Sequence, residues 1–199
     1  MKEEILNTAT NLFLSIGFKS VTMDDIAQEM AISKKTIYSH YANKTELVEE
    51  SSMQLLEKIL AHVNDLIDQG HNPIEEIYEI KKYVLQHLKG DHSSPVQQLQ
   101  KYYAKIYSKI KQRQFDHMQG FVKSNLGRGI DQGLYRKDLT VAFVSRIYFI
   151  GITGIKNNEI FDPADFPPRE LHEVYLEYHL RAIVTSKGRS ILNKLINSD

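Results

Sequence analysis

The chain has 199 residues, with 25 Lys plus Arg balanced by 25 Asp plus Glu, and neither Cys nor Trp. At about 100–200 residues per domain this is one compact domain, or a small one joined to a larger one. The lack of cysteine excludes a disulfide scaffold, thiolate zinc, iron–sulfur clusters and a cysteine nucleophile. Overall neutrality, with a pI near 7.1, gives no hint of a nucleic-acid partner.

Met1-Lys2-Glu3-Glu4 leads straight into an amphipathic pattern, so no secretory leader and a cytoplasmic location are expected. The most apolar window, Leu139 to Ile155, is shorter than the roughly 18 residues that span a bilayer and carries Arg146 in its middle. It reads as a buried helix, and no membrane partner is expected.

All the periodicity is helical. Ile5, Ala9, Leu12, Phe13 and Ile16 share one face of a first helix that Gly17 ends. A short helix from about Met23 to Met30 follows, with Thr22 as N-cap and Asp24 and Asp25 in its first turn, where negative charge suits the helix dipole. Ser33 caps a third helix reaching about Tyr41, and Asn43 caps a long fourth one ending before Gly70. Pro73 opens a fifth helix, which Gly90 stops. Apolar spacing from Val96 to about Gln132 is too long for one straight helix, so a break is expected between Tyr103 and Lys111. Further helices cover about Leu139–Lys156 and Arg169–Ser186, with Gly188 leading into a short tail helix. The expected fold is all-α, with nine or ten helices and no strand.

The informative stretch runs from Thr22 to Leu47, TMDDIAQEMAISKKTIYSHYANKTEL. Two short helices flank the turn Ala31-Ile32-Ser33, and Ile26, Ala27, Met30, Ile32, Ile37 and Tyr41 can share a small core. Lys34, Lys35, Thr36, Tyr38, Ser39 and His40 are left on the other sides of the second helix. This is a helix-turn-helix pattern, in which the second helix enters the DNA major groove.

Ala9, Leu12, Phe13, Gly17, Phe18, Val21, Thr22, Met23, Ile26, Ala27, Ile32–Tyr38, His40, Tyr41, Asn43, Lys44, Glu46 and Leu47 together resemble the tetracycline-repressor (TetR) family of transcriptional regulators. The resemblance covers Ile5 to about Leu47; beyond that only helix number and length are similar. It departs at Ala31, where the family usually has Gly. If that residue is left-handed, Ala costs about 1 kcal/mol relative to Gly.

The resemblance implies a DNA-binding domain over residues 1–47 (motif 22–41) and a helical effector-binding and dimerisation domain over 48–199. It implies that Thr22 meets a phosphate, that Lys34, Lys35, Thr36 and Ser39 face base edges or adjacent phosphates, and that Tyr38, His40 and Lys44 hold the DNA backbone. The first 50 residues carry five Lys and eight acidic residues, so few phosphate contacts per subunit and tight binding only as a dimer are expected.

In the body, Tyr102, Tyr103, Tyr107, Phe115, Met118 and Phe121 form an aromatic stripe. Its readings are ordinary core or one wall of a pocket for a small amphipathic effector. His87, Gln98 and His117 are possible polar handles. The helix after Leu139 is apolar nearly all round, more than one domain core needs. With the next helix it looks like the family's dimer interface, through Phe143, Arg146, Ile147, Ile150, Gly151, Gly154, Val174 and Tyr178. Arg146 is expected to form a salt bridge across that interface.

Neither metal-ligand spacing nor a catalytic motif emerges, so no cofactor, no metal and no enzymatic activity are expected. The expected function is a homodimeric regulator of a double-stranded operator, a repressor released by a small molecule. The alternatives are a helical ligand carrier or enzyme with a vestigial helix-turn-helix, and a DNA-bound scaffold without an effector.

Overall fold

The computed structural model describes residues 1–87 and 95–197, with ten helices and no strand among them. In chain order these are α1 (Lys2–Ser15), α2 (Met23–Glu29), α3 (Lys34–Tyr38), α4 (Lys44–Asp68), α5 (Pro73–His87), α6 (Pro95–Tyr102), α7 (Ala104–Asp131), α8 (Val141–Gly154), α9 (Pro168–Ile183) and α10 (Ser186–Ile196). The expected break falls at Tyr103, between α6 and α7. The expected stop at Gly90, the loop after it and the His87 side chain lie outside the described residues.

Contacts divide the chain into two units, Met1–His62 with Lys89–Gln114, and Val63–Leu88 with Phe115–Asp199. The core of the first is built from Ile5, Phe13, Ile26, Ile37, Tyr41, Leu47 and Val48, joined by Leu99 of α6 and Ile106 of α7. That core therefore extends past residue 47, and α6 and the start of α7 belong to it.

The second unit is built around Ile74, Leu126, Tyr135, Leu176, Leu180 and Leu192. A satisfied polar network joins α5 to α7 within it. Glu76 has no exposed surface, and its two carboxylate oxygens accept from Arg128 Nη2 at 2.6 and 2.8 Å. Asn125 Nδ2 donates to Glu76 Oε1 and to the Pro73 carbonyl, both at 2.8 Å, and its Oδ1 accepts from the Tyr135 hydroxyl at 3.1 Å. A buried carboxylate is tolerable only when so completely paired.

The α9–α10 boundary departs from the sequence reading, because α9 ends at Ile183 and Gly188 lies inside α10. Leu134 and Ile183 supply the reason: their carbonyls accept from Thr185 N and Arg136 N at 2.9 Å, which draws Val184 into an extended bridge with Tyr135. Thr185 then caps α10 through Gly188 N.

Candidate nucleic-acid interface

Residues Thr22 to Lys44 fold as two short helices whose ends are all closed by side chains or turn geometry. Thr22 caps α2 reciprocally: its backbone N and hydroxyl reach Asp25 Oδ2 at 2.7 and 2.9 Å, while Asp25 N donates to Thr22 Oγ1 at 3.2 Å. The Thr22 backbone N–H, and secondarily its hydroxyl, hold the Asp25 carboxyl below the ordinary carboxylate range. Both Thr22 donors are thus committed to Asp25.

Ala31 is at φ 51°, the one non-glycine at positive φ among the described residues. Ile32 N donates to Ala27 O at 3.0 Å and Ala31 N to Gln28 O at 3.1 Å, the paired bonds of a Schellman ending. This ending turns the chain so that Ser33 can cap α3, accepting from Thr36 N at 3.1 Å.

Ile37 is fully buried and fixes the rotation of α3. At 100° per residue, Lys35 and Ser39 lie on the opposite side, with Lys34 and Tyr38 on the flanks. Lys35, Ser39 and His40 are exposed, and so is Tyr38, at 45%. Lys35, Tyr38 and His40 make no side-chain hydrogen bond among the described residues. Thr36 is half-buried and its hydroxyl meets Ser33 Oγ at 2.8 Å, while Ser39 Oγ donates to Thr36 O at 2.7 Å. Lys34 is not free: its ammonium sits 2.9 Å from Asp24 Oδ2, and that bond raises its pKa.

Lys44 is half-buried, and its Nζ donates to the Lys19 carbonyl at 3.1 Å, tying the start of α4 to the α1–α2 loop. Burial lowers its pKa, with Asp25 acting the other way. Asn43 and Glu46 cap α4 reciprocally, through Glu46 N on Asn43 Oδ1 and Ala42 N on Glu46 Oε2.

The aromatic stripe is divided rather than assembled. Tyr103 and Tyr107 pack on the core of the first unit. Tyr102, 43% exposed, lies under the Lys19 and Lys101 ammonium groups, 4.8 and 5.6 Å from its ring centre. Gln98 is also taken up there, where its Oε1 accepts from Lys19 N at 3.2 Å beside Gly17. These bracing roles escaped the sequence reading, because apolar period gives a helix face but not the core it meets. Phe115, Met118 and Phe121 lie in the second unit, Phe115 edge-on to Phe149 at 5.0 Å. His117 meets Asn64 Oδ1 at 3.1 Å.

On α8 and α9 the apolar side chains Phe143, Ile147, Ile150, Val174 and Tyr178 are 41–73% exposed, and Arg146 and Gly154 are exposed beside them. Arg146 Nη1 donates to Ala142 O within its own helix. Gly151 differs: an added Cβ would strike the Tyr175 ring and hydroxyl, so its lack of a side chain serves packing within this chain. The Tyr175 hydroxyl reaches the Tyr148 and Ile147 carbonyls at 3.0 and 3.4 Å through that gap.

Comparison with known proteins bears on this geometry directly. The family model "Bacterial regulatory proteins, tetR family" matches residues 5–51, the span that holds most of α1, all of α2 and α3, and the start of α4. The transcriptional repressor KstR2 of Mycobacterium tuberculosis is 27% identical over 155 residues, 72% of this chain and 73% of that protein. Residues 5–51 thus carry the DNA-binding region of the TetR family. Similarity to KstR2 of Mycolicibacterium smegmatis extends to 94% of this chain and 92% of that one, at 25% identity. The fold also matches that of SmeT, the repressor of a Stenotrophomonas maltophilia multidrug efflux pump, which has been solved in a triclosan complex too. The TM-score to SmeT is 0.73 over 94% of this chain and 91% of SmeT, at 17% identity. With this match and these relatives, the chain is a DNA-binding transcriptional regulator. No helix of its described residues is long and apolar enough to cross a membrane.

Proposed function

We propose that the chain is a cytoplasmic, homodimeric, non-enzymatic repressor, released from its operator by a small amphipathic effector. DNA reading belongs to residues 1–47, and effector binding and dimerisation to 48–199. The observation that carries this reading is α3: Ile37 anchors one side while Lys35, Tyr38 and Ser39 are presented outward with their side chains uncommitted to other elements. Lys35 and Ser39 meet base edges or nearby phosphates, and Tyr38 and His40 grip the backbone. Lys34 exchanges Asp24 for DNA. Thr22 and Lys44 contribute through the loop and caps that they hold, with the remaining Lys44 N–H bonds open to phosphate. Thr36 supports the start of α3 through Ser33.

Two copies of α3 enter successive major grooves, about 34–36 Å apart, on a near-palindromic site. The exposed Phe143, Ile147, Ile150, Val174 and Tyr178 face supplies the subunit contact, with Arg146 bridging across it. The effector occupies the second unit beside Phe115, Met118 and Phe121, and it must bind one conformation better than the other to act. The repressor names of KstR2 and SmeT, and SmeT's triclosan complex, favour this over a carrier or scaffold.

The test is a mobility shift on fragments selected from genomic DNA. Lys35→Ala and Tyr38→Ala should each weaken selective binding by roughly 10- to 100-fold, about 1–3 kcal/mol, with unchanged melting temperature. They are cleaner probes than Lys44→Ala, which also cuts the tie to Lys19. Full affinity in both variants would refute the reading.

A further inference from the structure

At the inward side of the α8–α9 hairpin lie two basic groups, Lys156 just past α8 and His172 of α9, that no acid among the described residues is seen to pair with. Tyr148 of α8 packs on His179 and Tyr175 of α9, with ring centres 4.9 and 6.2 Å apart. Gly151, nearly a turn further along α8, is where Tyr175 comes closest. Advancing on α8 therefore means retreating on α9, and the antiparallel register brings the end of α8, before Lys156, toward His172.

His172 is only 7% exposed. Its Nδ1 lies 2.6 Å from the Pro168 carbonyl oxygen, which only accepts, so the neutral ring carries its proton on Nδ1. Nε2 is then a lone-pair acceptor, and it is buried with no hydrogen-bond partner among the described residues. Buried polar atoms are rarely left so. Lys156 has no side-chain hydrogen bond or ion pair among the described residues. It is partly exposed as a residue, and burial lowers its pKa. His172 is lowered first by its own burial, against the Pro168 bond, and further by the Lys156 charge. No carboxylate contributes to either shift. An uncompensated cation beside an unpartnered imidazole is a cost of folding that a ligand can remove.

The geometry points to a binding site for the carboxylate of an acidic, otherwise apolar effector, held by Lys156 and His172. It rests on the effector reading above and gives that effector a chemical class. The ammonium donates directly. An acid arriving protonated passes its proton to Nε2, leaving a carboxylate between an imidazolium and an ammonium. Leu176, buried one turn along α9, and Tyr148 provide apolar surroundings. The site is separate from the subunit face, because His172 and Leu176 lie on the buried side of α9 and Val174 and Tyr178 on the exposed one.

The full chain is titrated with sodium decanoate and sodium benzoate, and with decanamide and benzamide as neutral counterparts. Binding is read from the His172 ring signals, assigned with His172→Gln, and from the melting temperature. At least one acid should shift those signals and raise the melting temperature at millimolar concentration, while its amide does neither. Lys156→Met should weaken acid binding at least tenfold and melt higher than the parent when ligand-free, and Lys156→Gln should show the same binding loss. Silence of both acids, equal response to the amides, an unaltered response in the Lys156 variants, or a ligand-free Lys156→Met that melts lower each overturns the site. Operator release by the amides alone would keep the effector reading and remove only its acidity. Failure of ligand-free protein to bind DNA would strike the regulator reading instead.

Discussion

His179 shows what burial does to a titratable side chain in this body. It is 6% exposed between Tyr148 and Tyr175, and desolvation pushes its pKa down to about 4. The unfolded imidazole titrates near 6.5. Between those values the unfolded chain holds a proton that the folded chain refuses. This contribution is therefore complete above pH ~6.5 and is lost as the pH falls toward 4. His172, lowered by burial as well, acts in the same direction. Urea midpoints should fall from pH 7 to pH 5, and His179→Phe should flatten that slope; an identical slope in the variant would refute the assignment. The acidic partner of Lys34 is the other residue-scale lesson. Sequence placed Asp24 at a helix start, where the dipole favours it, but the 2.9 Å pair arises from the turn that brings α2 and α3 together.

At the scale of elements, the helices were legible because each buries one stripe and their caps are local: Thr22, Ser33 and Asn43 all cap as the sequence indicates. Ala31 was legible too, as the departure from a glycine position, and its φ of 51° accounts for what the sequence flagged. Ala31→Gly should stabilise the protein by about 1 kcal/mol, since glycine enters this region without a Cβ clash and the Schellman bonds remain. Chemical denaturation measures it, and a destabilised variant would show that the turn is not strained. The positions of Gln98, Tyr102 and Tyr103 were not legible. Their periodicity is that of any amphipathic helix, and only the tertiary fold assigns α6 to the first core. The α9–α10 boundary is hidden from the sequence for the same reason, since the pairing of Val184 with Tyr135 is long-range.

For the whole molecule, the excess hydrophobicity of α8 signals an apolar face, and Phe143, Ile150 and Tyr178 on α8 and α9 are 61–73% exposed. Contiguous apolar surface of this kind marks an interaction site. Ile150→Glu should yield a folded monomer, because the position contributes little to its own core, with operator affinity at least 100-fold lower. Sedimentation and mobility shift check this together; a variant that stays dimeric would place the subunit contact elsewhere.

The hydroxyl of Tyr175, seated on two α8 carbonyls through the gap at Gly151, bears on how such a dimer could switch. Sliding one of these helices along the other would break both bonds and drive a ring into backbone. The hairpin is in effect a stiff clasp within one chain. In the effector-released dimer proposed above, the change that an inducer causes would then lie outside this hairpin.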